Sequence, residues 1–334
     1  MKRILVTGAT GLMGSVICED LRAIGRQVRG LVRKPQGRDV ETLHELGVEI
    51  IQGDVSDIDS VIAAAKGVDG IIHCAAMLGS GGATISEGFS ANVMGALAVL
   101  SAAARLGNIP VAQVITTTFL DSQGKTLTEN TKLDLTLIHR DPYSITKRLA
   151  FVEGLARVQV GQNIRFVIPG AIFGPSPCVE RANAFPGFNA RLLGTIRGEM
   201  SELPALMITA SYVTDCSGIA IAALERGERG KIYIAHGRPE DDCTLPAFCN
   251  LAAEMAGSPH RVAQITPAQA NDPEMIERFG SNDTILRMLR EKPAKPLTDS
   301  RITQKEFGIL PTPLNEGMRK TIDWFRKNGL IIAE

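Results

Sequence analysis

A tyrosine and a lysine stand four positions apart in the stretch DPYSITKRLA, as Tyr143 and Lys147. On a helix this spacing puts both side chains on one face. A tyrosine can act as a general acid, although its free pKa of about 10 is high for proton exchange at neutral pH. A neighbouring ammonium group lowers that pKa by stabilising the phenolate. The pair could therefore protonate a carbonyl oxygen, or it could be two ordinary residues on a surface helix.

The residues that flank the pair predict where its helix begins. Asp141 suits the N-cap and Pro142 suits the first turn. The pair would then lie near a helix N-terminus, whose dipole also favours a phenolate. A run of threonines at positions 116 to 118 follows an earlier apolar stretch. It could supply a hydroxyl to the same site, although threonine is also a common strand residue.

The stretch VTGATGLMG follows a predicted strand and opens a predicted helix, which is the context that a phosphate-binding turn requires. Its glycines let the backbone approach a pyrophosphate, and the helix N-terminus supplies amide donors. A glycine-rich turn that binds nothing is the alternative, but the context favours a dinucleotide. The predicted cofactor-binding residues of this turn are Gly8, Thr10, Gly11, Leu12, Met13 and Gly14.

The second predicted strand ends in GLVRKPQGR, which holds Arg33 and Lys34 but no acidic residue. An acidic residue there would bind a free ribose 2′-hydroxyl, whereas an arginine suits a 2′-phosphate. NADP(H) is therefore preferred and NAD(H) stays open, with a solvated basic loop as the alternative. After the third strand, Asp54 is placed to bind the adenine amino group, with Val55 beside it, or it is a turn residue.

The elements that must position these residues follow a regular alternation. Short apolar runs alternate with helical patterns as far as about residue 170. This order predicts β-α-β crossovers and a parallel sheet covered on both faces, an α/β doubly wound fold of the Rossmann type. Asp39 is the candidate N-cap of the second helix. The stretch KIYIAHG is predicted as one more strand of the main sheet.

Beyond Pro169 the alternation breaks at segments rich in proline and glycine. We predict that residues 1–170, with about 208–236, form the dinucleotide-binding domain. A smaller, interleaved substrate lobe is predicted for about 171–207 and 237–312. Residues 313–334 are predicted to form an amphipathic C-terminal helix that packs on the main body.

Composition limits the classes of function. The 334 residues include 36 Lys and Arg and 36 Asp and Glu, so the formal net charge is zero, which argues against nucleic acid or an anionic membrane as partner. We expect no signal peptide, transit peptide or membrane-spanning helix. The six cysteines form no C-x-x-C pair, which indicates reduced thiols in a cytoplasmic protein, and no metal site is predicted.

Together these motifs resemble the extended short-chain dehydrogenase/reductase family over nearly the whole chain. The resemblance rests on TGATGLMG, GDVSD, HCAA, ANVMGAL, VITTT, YSITK, FVIPGAIFGP, SYVTDCSGIAIAALERGERGKIYIAHG and PTPLNEGMRKTIDWFRKNGL, in that order. Within the family the chain looks most like the dihydroflavonol-4-reductase and carbonyl-reductase branch. Many sugar-nucleotide epimerases and dehydratases have arginine where Ile168 stands here.

The resemblance implies a role for each site residue. Tyr143 would be the general acid, and Lys147 would lower its pKa and hold the nicotinamide ribose. Thr118 would bind the substrate carbonyl, a mild departure because serine is usual there. The reaction implied is the reversible, NADPH-dependent reduction of a ketone or aldehyde. Further cofactor contacts are implied for Cys74, Ala75, Ala76, Thr116, Pro169, Gly170 and Ile172.

The substrate pocket is predicted to be apolar, for an apolar or aromatic ketone, with simple lobe packing as an equal alternative. Its candidate residues are Met77, Leu78, Phe119, Gln123, Phe185 and Phe188. The resemblance suggests a homodimer built from the helices of Asn92 and Tyr143. Three other functions stay open: an NAD-dependent nucleotide-sugar epimerase or dehydratase, a hydroxysteroid-type dehydrogenase, and a non-catalytic dinucleotide sensor.

Overall fold

The computed structural model describes residues 1–78, 84–118, 126–130, 141–279, 284–291 and 298–332. Its strands are β1 Arg3–Thr7, β2 Gln27–Val32, β3 Glu49–Gln52, β4 Gly70–His73, β5 Val111–Val114, β6 Ile164–Pro169, β7 Ala171–Phe173, β8 Glu202–Pro204, β9 Met207–Ile208, β10 Ala210–Tyr212, β11 Ile232–Ala235, β12 Cys243–Thr244 and β13 Ala263–Ile265.

The helices flank and connect these strands. They are α1 Leu12–Ala23, α2 Arg38–Glu45, α3 Ile58–Ala65, α4 Ile85–Gly88, α5 Gly95–Arg105, α6 Pro142–Gln159, α7 Val179–Ala182, α8 Phe188–Ile196, α9 Val213–Arg226, α10 Leu245–Met255, α11 Pro273–Phe279, α12 Thr284–Glu291, α13 Arg301–Phe307 and α14 Leu314–Lys327. A one-turn π-helix, Phe89–Met94, joins α4 to α5.

Seven parallel strands form the central sheet in the order β11-β6-β5-β4-β1-β2-β3. The chain builds outward from β1 through β2 to β3 and then crosses to β4 on the other side of β1. A crevice forms at the carboxyl ends of strands where the order reverses in this way. The predicted doubly wound α/β fold is confirmed, and the predicted late strand, β11, returns to the edge of this sheet.

Two apolar layers hold helices against the sheet. Helices α1 and α9 cover one face, where Ile17 and Leu21 are fully buried with Ala220. Helices α3, α5 and α6 cover the other face, where Val99 packs with Phe151. Because apolar side chains cover both faces of the sheet, the sequences of the central strands are continuous apolar runs and not alternating patterns.

A third apolar core lies outside the main sheet and joins α8, α10, β7, β10 and α14. The C-terminal helix contributes its predicted stripe to this core, because Leu314, Met318, Ile322 and Phe325 are all buried there. Its apolar face meets α10 and β10, and the packing of this helix on the main body stays a prediction. The division of the chain into two domains stays a prediction.

The second helix begins differently from the prediction. Gly37 occupies the N-cap position of α2 with a φ of +108°, and no side chain caps the helix. The Asp39 carboxylate instead accepts the backbone amides of Glu180 and Arg181, far along the chain. Asp39 is therefore not the N-cap, because its side chain lies one residue inside the helix and is buried against α7.

One helical stretch, Ile85–Arg105, is long and apolar enough to cross a membrane by length and composition alone. Half of it is buried inside the protein, where its helices pack against α3 and α6. This stretch includes α4, the π-helix and α5. Burial of one face against two other helices accounts for its apolar composition.

Candidate functional site

The turn between β1 and α1 forms a tight cradle of backbone. Gly8 has a φ of +72°, and a Cβ there would lie 2.8 Å from the backbone nitrogen of Ala75. A Cβ on Gly14 would lie 2.1 Å from the Gly8 carbonyl oxygen, which also accepts the Gly11 amide at 2.9 Å. Any side chain at either position would collide with backbone. The cradle and the α1 N-terminus therefore fit a pyrophosphate, as the spacing predicts.

The other residues of the turn support this shape. Met13, in the first turn of α1, is buried in the core, whereas Thr10 and Leu12 are only partly buried.

The Thr7 hydroxyl, which precedes the turn, bonds the His73 Nδ1 at 2.8 Å and accepts the Ala75 amide at 3.3 Å. Burial lowers the pKa of His73 to about 3, with the nearby Lys147 charge a smaller cause. This neutral histidine positions the end of β4, a role that sequence reasoning missed.

A group of cations follows β2, at the end of the site for which the sequence predicts the adenosine of the cofactor. Arg33, Lys34 and Arg38 are all exposed, and the structure records no ion pair for them among the described residues. The sequence analysis singled out the first two and passed over Arg38. The intervening residues hold no carboxylate, so the positive charge of this loop is not neutralised locally.

Asp54 and Val55 lie after β3, on the same edge of the sheet. The Asp54 Oδ1 accepts both the amide and the hydroxyl of Ser56 at 2.8 Å, so this carboxylate closes a turn. The Val55 side chain faces α5, where a Cβ on Gly95 would lie 3.0 Å from its Cγ1. The turn role that the sequence left open for Asp54 is present, and its contact with adenine stays a prediction.

Helix α6 carries Tyr143 and Lys147. The Asp141 Oδ1 accepts the Ser144 amide at 2.9 Å and Pro142 occupies the first turn, so the predicted N-terminus is confirmed. Lys147 is buried, and its Nζ donates to the Val114 carbonyl at 2.7 Å. Burial lowers the pKa of Lys147 to about 8, while Cys74 acts in the opposite direction.

The phenol of Tyr143 points toward the threonines that follow β5. Burial raises its pKa to about 12, and a hydrogen bond with the Thr116 side chain opposes that rise. The expected lowering of this pKa by Lys147 is therefore wrong for this structure, because desolvation of the phenolate dominates. The Thr118 amide bonds the Thr116 hydroxyl at 3.3 Å. The Thr118 hydroxyl is buried and has no partner among the described residues.

Asn92 ties the loop after β4 to the helix of the pair. Its side-chain oxygen accepts the Met77 amide at 2.7 Å, and its nitrogen donates to the Met77 carbonyl at 3.1 Å and to Thr146 at 2.9 Å. Asn92 is buried and lies in the π-helix, a local widening that is frequent at functional sites. Asn92 therefore orients the backbone of the loop after β4.

The remaining predicted cofactor contacts lie at the carboxyl ends of β4 and β6. Cys74, Ala75 and Ala76 follow β4, and Pro169 ends β6. The Gly170 amide donates to the Ser211 hydroxyl at 3.1 Å, and a Cβ on Gly170 would lie 2.5 Å from the Thr209 carbonyl oxygen. Ile172 lies in β7 and is partly exposed. The fold thus brings the described cofactor candidates to the side of the sheet at which the carboxyl ends of its strands lie.

The predicted substrate residues lie in two places. Met77 and Leu78 are on the loop after β4, and Leu78 is 47% exposed. Phe185 precedes α8 and Phe188 begins it, and the Arg191 guanidinium carbon lies 5.1 and 5.7 Å from their ring centroids. Phe185 also lines a cavity of about 270 Å³ between α8, β8 and α12. Phe119 and Gln123 lie outside the described residues.

The comparison with protein families matches this architecture. The model of the family described as "NAD dependent epimerase/dehydratase family" matches residues 4–234, which span the glycine turn, the Tyr–Lys pair and the sheet up to β11. The chain belongs to this family. It is thus an extended short-chain dehydrogenase/reductase, as the motifs indicate, and an NAD(P)-dependent enzyme that acts on CH–OH and C=O groups.

Individual proteins extend the similarity to the whole chain. Sterol demethylase protein B of Methylococcus capsulatus is 26% identical over 98% of this chain and 99% of its own length. The dTDP-4-dehydro-6-deoxy-D-allose reductase of Streptomyces bikiniensis is 24% identical over 97% of this chain and 96% of its own. The crystal structure of gox2253 superposes with a TM-score of 0.81 at 25% identity, covering 99% of this chain and 100% of that one.

Proposed function

We propose that this protein catalyses the reversible, NADPH-dependent reduction of a ketone or aldehyde to an alcohol. The observation that carries the proposal is the placement of Tyr143, Lys147 and Thr118 at the carboxyl end of the sheet, beside the glycine cradle. The Thr118 hydroxyl is buried with no partner among the described residues. A proton donor, a cation and a hydroxyl group therefore lie at the crevice in which this fold binds ligands. A non-catalytic sensor has no need of such a set.

Each residue has a distinct task in this reaction. A reduced nicotinamide, when bound, supplies the hydride from its C4 carbon. Thr118 donates a hydrogen bond to the substrate carbonyl oxygen and holds the carbonyl in place. Tyr143 gives its hydroxyl proton to that oxygen as negative charge develops on it. Lys147, fixed by the Val114 carbonyl one helical turn from Tyr143, holds the nicotinamide ribose and keeps a positive charge on this side of the site.

The loop after β2 supports NADP(H) over NAD(H). Arg33, Lys34 and Arg38 are exposed at the adenosine end, and no acidic residue stands among them to bind a free 2′-hydroxyl. A guanidinium group can bind a phosphate through two parallel hydrogen bonds. These three cations therefore favour a cofactor that carries a 2′-phosphate.

The substrate class that we propose is an apolar or alicyclic ketone. The exposed side chains of Leu78 and Phe185 offer an apolar surface for such a substrate. A hydroxysteroid-type reaction is the second candidate, because a relative with full-length similarity is named for sterol demethylation. A nucleotide sugar is the third, because a second full-length relative is named as a sugar-nucleotide reductase.

Two further properties belong to the same proposal. Exposed apolar side chains lie on neighbouring helices, at Ile85 and Phe89 near α4 and at Leu149 and Val152 on α6. They support a homodimer through these helices.

All six cysteines are free, which supports a reducing compartment such as the cytoplasm.

The experiment combines the purified protein with NADPH or NADH and a panel of steroid ketones, alicyclic and aromatic ketones and 4-keto sugar nucleotides. Oxidation of the reduced nicotinamide is followed by its absorbance. We expect turnover with an apolar ketone, and a fall in kcat of about 100-fold or more in Tyr143→Phe. Tyr233→Phe, whose hydroxyl bonds Glu306 away from the site, is the matched control. Bound NADPH without turnover on any member of the panel would favour the sensor.

A further inference from the structure

The Asp39 carboxylate connects the cofactor-binding part of the chain to the segment that leads into the second lobe. It is 6% exposed, and its two oxygens accept the amides of Glu180 at 3.2 Å and Arg181 at 2.8 Å. Arg38, one of the cations after β2, precedes Asp39 directly. The contact therefore fixes the backbone of Arg181 next to the loop that carries the adenosine-end cations.

Two other contacts fasten the same segment. The Cys178 thiol donates to the Asp39 carbonyl at 3.4 Å, and the hydroxyls of Ser176 and Ser15 are hydrogen-bonded at 2.7 Å. Ser15 follows Gly14 of the phosphate cradle, and both serine side chains are buried. The segment thus crosses from the cradle to α2 along a path fixed at both ends, so its backbone has a defined position relative to the glycine cradle.

Arg181 brings a fourth positive charge to this place. Its side chain is exposed, as are those of Arg33, Lys34 and Arg38, and the structure records no ion pair for any of the four in the described ranges. The nearby carboxylates are Asp39, whose oxygens bind amides, and the exposed Glu19, Glu41 and Glu180. Cations on neighbouring segments repel one another, and a doubly charged anion between them relieves that repulsion.

We propose that Arg181 binds the 2′-phosphate of NADP(H) together with the cations after β2, and that Asp39 is the residue that positions it. The inference rests on the proposed preference for NADP(H) and extends that site across to a residue beyond the central β-α-β units. A guanidinium group on the segment before α8 can donate hydrogen bonds to a phosphate that the cations after β2 also bind. Cofactor choice then depends on a contact between α2 and α7 as well as on the β2 loop.

The test measures the Kd values of NADPH and NADH by nicotinamide fluorescence, with no substrate present. The variants are Arg181→Gln, Arg181→Lys, Asp39→Asn, Arg33→Gln and, as a control, Arg105→Gln, an exposed arginine at the far end of α5. We expect Arg181→Gln to weaken NADPH binding about five-fold and to leave NADH binding unchanged. Arg181→Lys should retain most of the affinity, and Arg105→Gln should behave as wild type.

Asp39→Asn tests the positioning role by a double-mutant cycle. Like Arg181→Gln, it should weaken NADPH binding relative to NADH binding. This effect should largely disappear in a protein that already carries Arg181→Gln, because both substitutions remove the same interaction. A purely structural role of Asp39 would weaken NADPH and NADH equally and would be additive with Arg181→Gln.

The outcomes separate this inference from the proposed function. If wild type prefers NADPH, Arg33→Gln removes the preference and Arg181→Gln leaves it intact, the inference is overturned while the proposed cofactor stands. If wild type binds NADH as tightly as NADPH, the proposed cofactor preference fails, and the role of Arg181 fails with it.

Discussion

The phenol of Tyr143 faces the side chain of Thr116 at the end of β5, and this neighbour opposes the rise in the phenol pKa that burial causes. The same Thr116 hydroxyl accepts the amide of Thr118. The two threonines therefore differ in availability, because one hydroxyl is engaged within the protein and the Thr118 hydroxyl is buried without a partner in the described chain. A substrate carbonyl placed between Tyr143 and Thr118 would satisfy that hydroxyl.

This difference predicts unequal effects of two matched substitutions. Thr118→Val should lower kcat about 100-fold, because it removes a donor aimed at the developing oxyanion. Thr116→Val should lower kcat by less than about ten-fold, because it removes a group that only orients the phenol. Steady-state kinetics on the two variants measures both effects. A larger loss in Thr116→Val than in Thr118→Val would reassign the substrate-binding hydroxyl to Thr116.

The pH dependence of activity should follow Lys147. Its pKa is lowered to about 8 by burial, so its charge is lost as the pH rises through that value. Tyr143, whose pKa burial raises to about 12, keeps its proton through the neutral range. The kcat/KM of reduction for NADPH, which reports the free enzyme, should therefore fall above about pH 8. Lys147→Arg should move this fall in kcat/KM to higher pH or abolish it. An unchanged pH profile would mean that another group causes the fall.

The contribution of Lys147 to the free energy of unfolding should rise with pH, whereas kcat/KM should fall. In the unfolded chain Lys147 has an ordinary pKa of 10.5, and in the folded protein its pKa is about 8. Between these values the unfolded state binds more protons, so the contribution of Lys147 to the free energy of unfolding rises with pH. Urea unfolding of wild type and Lys147→Met between pH 8 and about 10 should show wild type gaining relative to the variant. No relative gain would contradict the burial of an ionisable Nζ.

The phosphate cradle should not tolerate a single added methyl group. Gly14→Ala would place a Cβ 2.1 Å from the Gly8 carbonyl, so the turn must open, and we expect NADPH affinity to fall by more than about ten-fold. Gly88→Ala is the control, since a Cβ there meets its nearest atom at 3.5 Å. Fluorescence titration measures both Kd values. Wild-type affinity in a folded Gly14→Ala protein would rule out this turn as the pyrophosphate site.

Asn92 should contribute to stability through the loop after β4. Asn92→Ala leaves the Met77 amide and carbonyl without their partners, so the free energy of unfolding should fall by about 1–3 kcal/mol. Asn271→Ala, which removes one exposed bond to the Pro267 carbonyl, should cost less than about 0.5 kcal/mol. Chemical denaturation measures both variants. Equal losses would mean that the two Met77 contacts contribute little.

Local patterns in the chain predicted much of this site. Asp141 and Pro142 marked the start of α6, and the glycine spacing marked the cradle, because capping and tight turns depend on neighbouring residues. Sequence reasoning missed the Thr7–His73 pair and placed Asp39 as a helix cap. The partners of these residues lie far along the chain, 66 positions away for Thr7 and 142 for Asp39 with Arg181.

The amino-acid sequence by itself determined the parallel sheet, the phosphate turn and the common face of Tyr143 and Lys147. Each of these follows from periodicity or from residue preferences over a few positions. Only the tertiary structure decided which threonine meets Tyr143, how α14 packs, and that burial raises the pKa of Tyr143 and lowers that of Lys147. These properties depend on desolvation and on contacts between distant segments, which arise only when the chain is packed.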